Sequence, residues 1–122
     1  MQKSKFITGI VITITLIIMF NLLKNLFGQP DEGALNAAIQ EGAYLVDVRT
    51  PAEFVQGSVK GAVNIPLDQL QKKLDAFKGK KNIVVFCRSG NRSNQAKAIL
   101  EQNGFTNVIN GGTWQNVSAL VK

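Results

Sequence analysis

One cysteine, Cys87, lies between a β-branched apolar run and a short loop that carries two arginines. The run Ile83-Val84-Val85-Phe86 reads as a buried strand delivering Cys87 to the loop Cys87-Arg88-Ser89-Gly90-Asn91-Arg92. That loop opens a helix with Ala96, Ile99 and Leu100 on its apolar face and Gly104 as its stop. A free thiol has a pKa of about 8.5 and is mostly protonated at neutral pH. Three features of the stretch lower that value: inward-turned loop amides, a helix N-terminus near Asn91, and the positive charge of Arg88 and Arg92. Gly90 frees the backbone to converge its N–H groups on one point, and Ser89 and Ser93 add hydroxyl donors. The expected product is a thiolate in a nest of donors, suited to an anion bound covalently to sulfur. The competing reading is an ordinary strand-to-helix turn with solvated arginines and an inert cysteine. It is disfavoured because thiol, glycine and basic charge coincide where a sheet's ligand crevice lies.

What is missing narrows the chemistry further. The 122 residues include no histidine, which removes Ser-His-Asp and Cys-His arrangements and every histidine-ligated zinc site. Neither a metal nor a cofactor is called for. With one cysteine no intramolecular disulfide can form. The net charge is +6, but Lys3, Lys5 and Lys24 flank an N-terminal apolar block, and past Gly28 the chain is only +3. No basic run with interleaved aromatics is present, so nucleic acid is not an expected partner.

The elements that must position the loop follow from periodicity and punctuation. Leu35, Ala38 and Ile39 share a helix face that begins near Asp31 and stops at Gly42. Residues 43–48 read as a strand ending in Asp47-Val48-Arg49. Thr50 caps a short helix with Pro51 at its first position, and Glu53, four residues after Arg49, is expected to pair with it. Residues 62–65 read as a short buried strand. Leu67, Leu70, Leu74 and Phe77 have helical spacing ended by Gly79. Residues 106–109 are expected to form the last strand, Asn110-Gly111-Gly112-Thr113 a turn, and residues 114–122 a final helix with Trp114 packed inward. Strands alternating with helices imply a parallel sheet covered on both faces, with Cys87 and Asp47 at carboxyl ends.

Ahead of this domain, residues 6–27 are expected to form one element, of which Phe6 to Leu23 contain no charged side chain. As a helix those residues rise roughly 27 Å, close to a hydrocarbon core of about 30 Å. A retained transmembrane anchor is preferred to a cleaved secretory signal, because the stretch is long and no small-x-small cleavage site follows it. Lys3 and Lys5 before the span place the N-terminus inside and the domain, residues 31–122, on the periplasmic or extracytoplasmic side.

The motifs also resemble a known family. Val85-Phe86-Cys87-Arg88-Ser89-Gly90-Asn91-Arg92-Ser93 is similar to the active-site loop of single-domain rhodaneses, which are sulfurtransferases. Residues 45–54 (LVDVRTPAEF) resemble the family's first signature and residues 57–66 (GSVKGAVNIP) its second. Gly104-Phe105, Gly111-Gly112 and Trp114 resemble the closing one. The resemblance implies a three-layer α/β/α domain with a small central parallel sheet, behind the anchor. It implies that Cys87 is the catalytic nucleophile and carries a persulfide. Arg88, Ser89, Gly90, Asn91 and Arg92 would bind a small-molecule sulfur donor such as thiosulfate, and cyanide or a thiol would accept the sulfur. Asp47 and Arg49 are then structural. Ser58 and Lys60 depart from the histidine and proline common in the second signature. Two rivals remain. A cysteine phosphatase of this fold uses Cys-x5-Arg, whereas Cys87-x4-Arg92 is one residue shorter and better fits a sulfane sulfur. A membrane-tethered module that carries or senses persulfide with little turnover would use the same complete loop.

Overall fold

The computed structural model describes residues 13–19 and 32–122. Residues 13–19 are helical, with Ile14, Leu16, Ile17, Ile18 and Met19 all exposed. The remainder of the expected anchor at 6–27 lies outside the described residues. Among those described, no helix is long and apolar enough to cross a membrane.

Helix α1 (Glu32–Gln40) buries Leu35 and Ala38 and leads into strand β1 (Tyr44–Asp47). Helix α2 (Pro51–Gln56) starts from a capping box: Thr50 Oγ1 accepts from Glu53 N, and the Glu53 side chain accepts from Thr50 N. Strand β2 (Val63–Asn64) follows, then strand β3 (Ile83–Cys87), helix α3 (Asn91–Gln102), strand β4 (Val108–Thr113) and helix α4 (Trp114–Leu120). All the strand pairs are parallel and the order is β2-β1-β3-β4. The apolar strand that carries the cysteine is therefore central and wholly buried, as β-branched residues on both faces of a parallel sheet require.

Alternation along β3 divides the core in two. Ile83, Val85 and Cys87 face a cluster with Leu70, Phe77, Ala96 and Leu100. Val84 and Phe86 face the other, with Leu35, Ala38 and Val117. Cys87 thus leaves the sheet on the side covered by α3, whose first turn closes over it.

Two expected elements differ. The Leu67–Phe77 stretch forms two 3₁₀ segments, Leu67–Lys72 and Leu74–Phe77. Leu67/Leu70 and Leu74/Phe77 are each three apart, the period of the tighter helix, and the four-residue step between them falls where Lys73 leaves helical geometry at φ −121°. The turn expected at Asn110–Thr113 belongs to β4 instead. Val85 pairs with Asn110 but Phe86 pairs with Gly112, so Gly111 is an extra residue, a bulge that lets the strand continue. Only glycine fits there: a Cβ on Gly111 would lie 2.5 Å from Val117 Cγ2 and 3.0 Å from Val84 Cγ1.

Candidate active site

Cys87 ends β3 and is fully enclosed. Gly90 turns the chain at φ +93°, the left-handed region a side chain resists, and becomes the N-cap of α3. That turn aims the Gly90 N–H at Cys87 Sγ, 3.0 Å away. The Ser93 hydroxyl lies 3.5 Å from the same sulfur. Burial pushes the thiol up, but the Ser93 hydroxyl and the backbone amides of Ser93, Ser89 and Gly90 together outweigh it and hold the pKa below the ordinary thiol value. Of the expected contributors, the backbone amides and the serine hydroxyl act on the sulfur, while Arg88 and Arg92 are not among the causes of its lowered value.

Beneath the sulfur is a polar network that the sequence pattern did not reveal. Ser93 Oγ is 2.7 Å from Asn110 Oδ1 and 3.0 Å from the Gly90 carbonyl. Asn110 is held in turn by the Gly112 N–H, which donates to Oδ1 at 2.9 Å, and by its own amide, which donates to Gly90 O at 3.3 Å. The bulge at Gly111 brings Gly112 N–H onto Asn110 and sets this geometry. An asparagine before a glycine pair looks like a turn, so its role as the floor of a site had no sequence signal.

Asp47, at the end of β1, and Arg49, two residues on, form a buried ion pair. Asp47 is fully buried, and Arg49 meets it with Nε at 3.0 Å and Nη2 at 2.7 Å. Arg49 also donates to Gly57 O at 2.6 Å and lies 5.2 Å over the Trp114 ring. Ser58, which departs from the expected histidine, donates its hydroxyl to Asp47 Oδ2 at 2.7 Å. No buried side-chain polar atom among the described residues lacks a partner. Asp47 and Arg49 hold β1 to the neighbouring loops, as expected of structural residues.

The expected Arg49–Glu53 pair does not form: Arg49 Nε and Nη2 are turned onto Asp47 and the Gly57 carbonyl. Glu53 instead receives Arg92, Nη1 to Oε1 at 2.7 Å and Nη2 to Oε2 at 3.0 Å. The Arg92 hydrogen bonds lower the Glu53 carboxyl to about 2, against the opposing cost of burial and with further help from the Thr50 amide and hydroxyl. Glu53 in turn raises Arg92, to which the charges of Cys87 and Asp47 add. Of the five loop residues expected to bind substrate, Gly90 reaches the sulfur directly, while the Arg92 guanidinium is bound to Glu53. Arg88, Ser89 and Asn91 are exposed at the rim, and Arg88 has no ion-pair partner among the described residues.

A cleft of about 310 Å³ lies at this rim, lined by Arg49, Glu53, Gln56, Arg88, Trp114 and Gln115. A second, apolar cleft of similar size lies beside Arg92, against Val48, Pro66 and Leu67. The arrangement offers a thiol held below its ordinary value in a loop whose Arg88 is exposed at the neighbouring cleft, and such a thiol can act as a nucleophile.

Comparisons agree with this chemistry. The family described as "Rhodanese-like domain" matches residues 31–115. A sulfurtransferase of Allochromatium vinosum is 40% identical over 70 residues, covering 57% of this chain and 65% of that protein, just under two thirds of its length. A thiosulfate sulfurtransferase of Escherichia coli is 37% identical over 75 residues, covering 60% of this chain and 72% of the relative. Among solved structures, a rhodanese with anions from Escherichia coli superposes with a TM-score of 0.56 at 36% identity, over 62% of this chain and 91% of its own.

Proposed function

This chain belongs to the rhodanese-like domain family, and we propose that it is a sulfurtransferase working through a persulfide on Cys87. The observation that carries the proposal is the sulfur itself: it accepts the Gly90 N–H at 3.0 Å at the start of α3, so negative charge on it is stabilised without a base.

In the first half-reaction the Cys87 thiolate attacks the outer sulfur of thiosulfate. The S–S bond of the donor breaks, its electron pair leaves with sulfite, and the outer sulfur stays on Cys87 as a persulfide anion. In the second, cyanide or a thiolate attacks that outer sulfur and Cys87 departs as a thiolate. Charge is conserved at each step and no external acid is required. Arg88 draws the donor to the rim, and the loop from Arg88 to Arg92 holds the persulfide. The similarity to a thiosulfate sulfurtransferase supports this choice of donor.

The same reading includes a membrane location. The uncharged stretch Phe6–Leu23 would tether the domain, with Lys3 and Lys5 on the inner side and Cys87 outside. Fractionation with protease protection of intact cells tests it: the domain should sediment with membranes and be cleaved from outside.

For the chemistry, the purified chain is assayed for thiocyanate formation from thiosulfate and cyanide. Steady turnover that disappears in Cys87→Ser supports the proposal, and its absence in the wild type rejects catalytic transfer. The complete enclosure of Cys87 favours one second reading, a slow persulfide carrier. That reading predicts formation of the persulfide in a single turnover without steady thiocyanate production.

A further inference from the structure

The rim has fewer working charges than its arginines suggest. Arg49 is neutralised by Asp47, and Arg92 by Glu53 through two hydrogen bonds of 2.7 and 3.0 Å. Arg88 is the remaining cation of the cleft and, among the described residues, is in no ion pair. Glu53 is not placed there by chance of rotamer. It is the third residue of α2, fixed by the capping box with Thr50, with Oε1 accepting from Thr50 Oγ1 at 3.0 Å and from Arg92. It lines the polar cleft while its partner Arg92 lines the apolar one, so the pair forms the partition between them.

We infer that Glu53 tunes donor selection: by pairing with Arg92 it leaves Arg88 as the cleft's unpaired cation among the described residues, which holds the preference for dianionic thiosulfate over a singly charged sulfane-sulfur donor below what two free arginines would give. This rests on the sulfurtransferase reading and deepens it by naming the residue that sets the balance between donors. Arg92 closes the same loop whose Gly90 N–H donates to Cys87 Sγ. A change in its pairing therefore acts on an anion that approaches the sulfur. A monoanion such as an organic thiosulfonate or persulfide meets one free guanidinium. Thiosulfate has a second charge, for which the cleft offers no second unpaired guanidinium among the described residues.

The test compares thiosulfate with methanethiosulfonate, which carries one charge less. Attack on the latter's outer sulfur by the thiolate releases methanesulfinate and leaves the same Cys87 persulfide, again with charge conserved. Glu53→Gln retains an oxygen acceptor for Thr50 and Arg92 but removes the charge. The ratio of kcat/KM for thiosulfate over methanethiosulfonate is expected to rise about threefold to tenfold in Glu53→Gln, the size of one unit charge acting at the rim through partly screened solvent. The gain should appear in KM and shrink at high salt. Arg92→Gln should lower the ratio, since it exposes Glu53. The double variant should return it close to the wild-type value, because the net charge is restored. A purely structural role would lower both donors together and leave the ratio fixed in all the variants, which would overturn the inference. If the wild type transfers sulfur from neither donor, the sulfurtransferase reading falls and this inference with it. Wild-type transfer with an invariant ratio removes the inference alone.

Discussion

Two arginine–carboxylate pairs flank the site, one enclosed and one at the surface, and they do different work. In the enclosed pair, the floor of the comparison, Asp47 is fully buried and Arg49 nearly so, and their hydrogen bonds continue into Gly57 and Ser58. At the rim, the Arg92 and Glu53 side chains remain 32% and 28% exposed, and their bonds join the loop to the cap of α2. Removal of one partner from an enclosed pair leaves a charge with no water to replace what was lost, whereas a rim charge is simply hydrated. The contrast teaches that the same two residue types fix the fold when enclosed and stay open to solvent and to substrate charge at the surface.

The strongest way to break this comparison is on the floor. Asp47→Ala strands Arg49 and is expected to cost about 3 to 5 kcal/mol of stability, read by urea unfolding. An equally mild effect at Asp47 and Glu53 would erase the distinction. Gly111→Ala forces a methyl group against Val117 and Val84 and should cost about 1 to 3 kcal/mol, while also disturbing the Asn110–Ser93 floor. A normally stable Gly111→Ala with unchanged thiol titration would show that the bulge is not needed there.

Ser93→Ala sits between the two regions. It removes the hydroxyl beside the sulfur, so the pH profile of iodoacetamide alkylation should shift to higher pH than in the wild type. A profile unmoved by the substitution would assign the lowered thiol to backbone amides alone. The smallest effect is at the rim. Glu53 has its pKa depressed in the folded state, so the stabilisation is fully present above the ordinary value of 4.5 and is lost as the pH falls through about 2. Between those limits wild type should lose less than about 1 kcal/mol relative to Glu53→Gln. A loss several times larger would place Glu53 with the floor.

Much of this was legible in the sequence because it depended on local pattern. The β-branched run to Cys87, the glycine of the loop and the helix stop at Gly104 each have a local physical signature, and strand β3 and helix α3 formed as expected. Thr50 with Pro51 likewise announced the start of α2. What was not legible depended on partners distant in the chain. Glu53 stands four residues from Arg49 but chooses Arg92, 39 residues on, because Asp47 has already claimed Arg49. Asn110 and Gly111 read as a turn until the pairing with β3 shows a bulged strand. The Leu67–Phe77 spacing fitted either kind of helix, and only the break at Lys73 decides between them.

The central claim is that Cys87 takes up one sulfur atom and gives it on. Intact-mass analysis of the chain after brief exposure to thiosulfate, with sulfite measured in the same sample, tests it most directly. A gain of one sulfur on Cys87 is expected, with one sulfite released for each sulfur bound and loss of the added mass when cyanide is supplied. A chain that gains no sulfur, or that gains it equally in Cys87→Ser, would rule out transfer through Cys87.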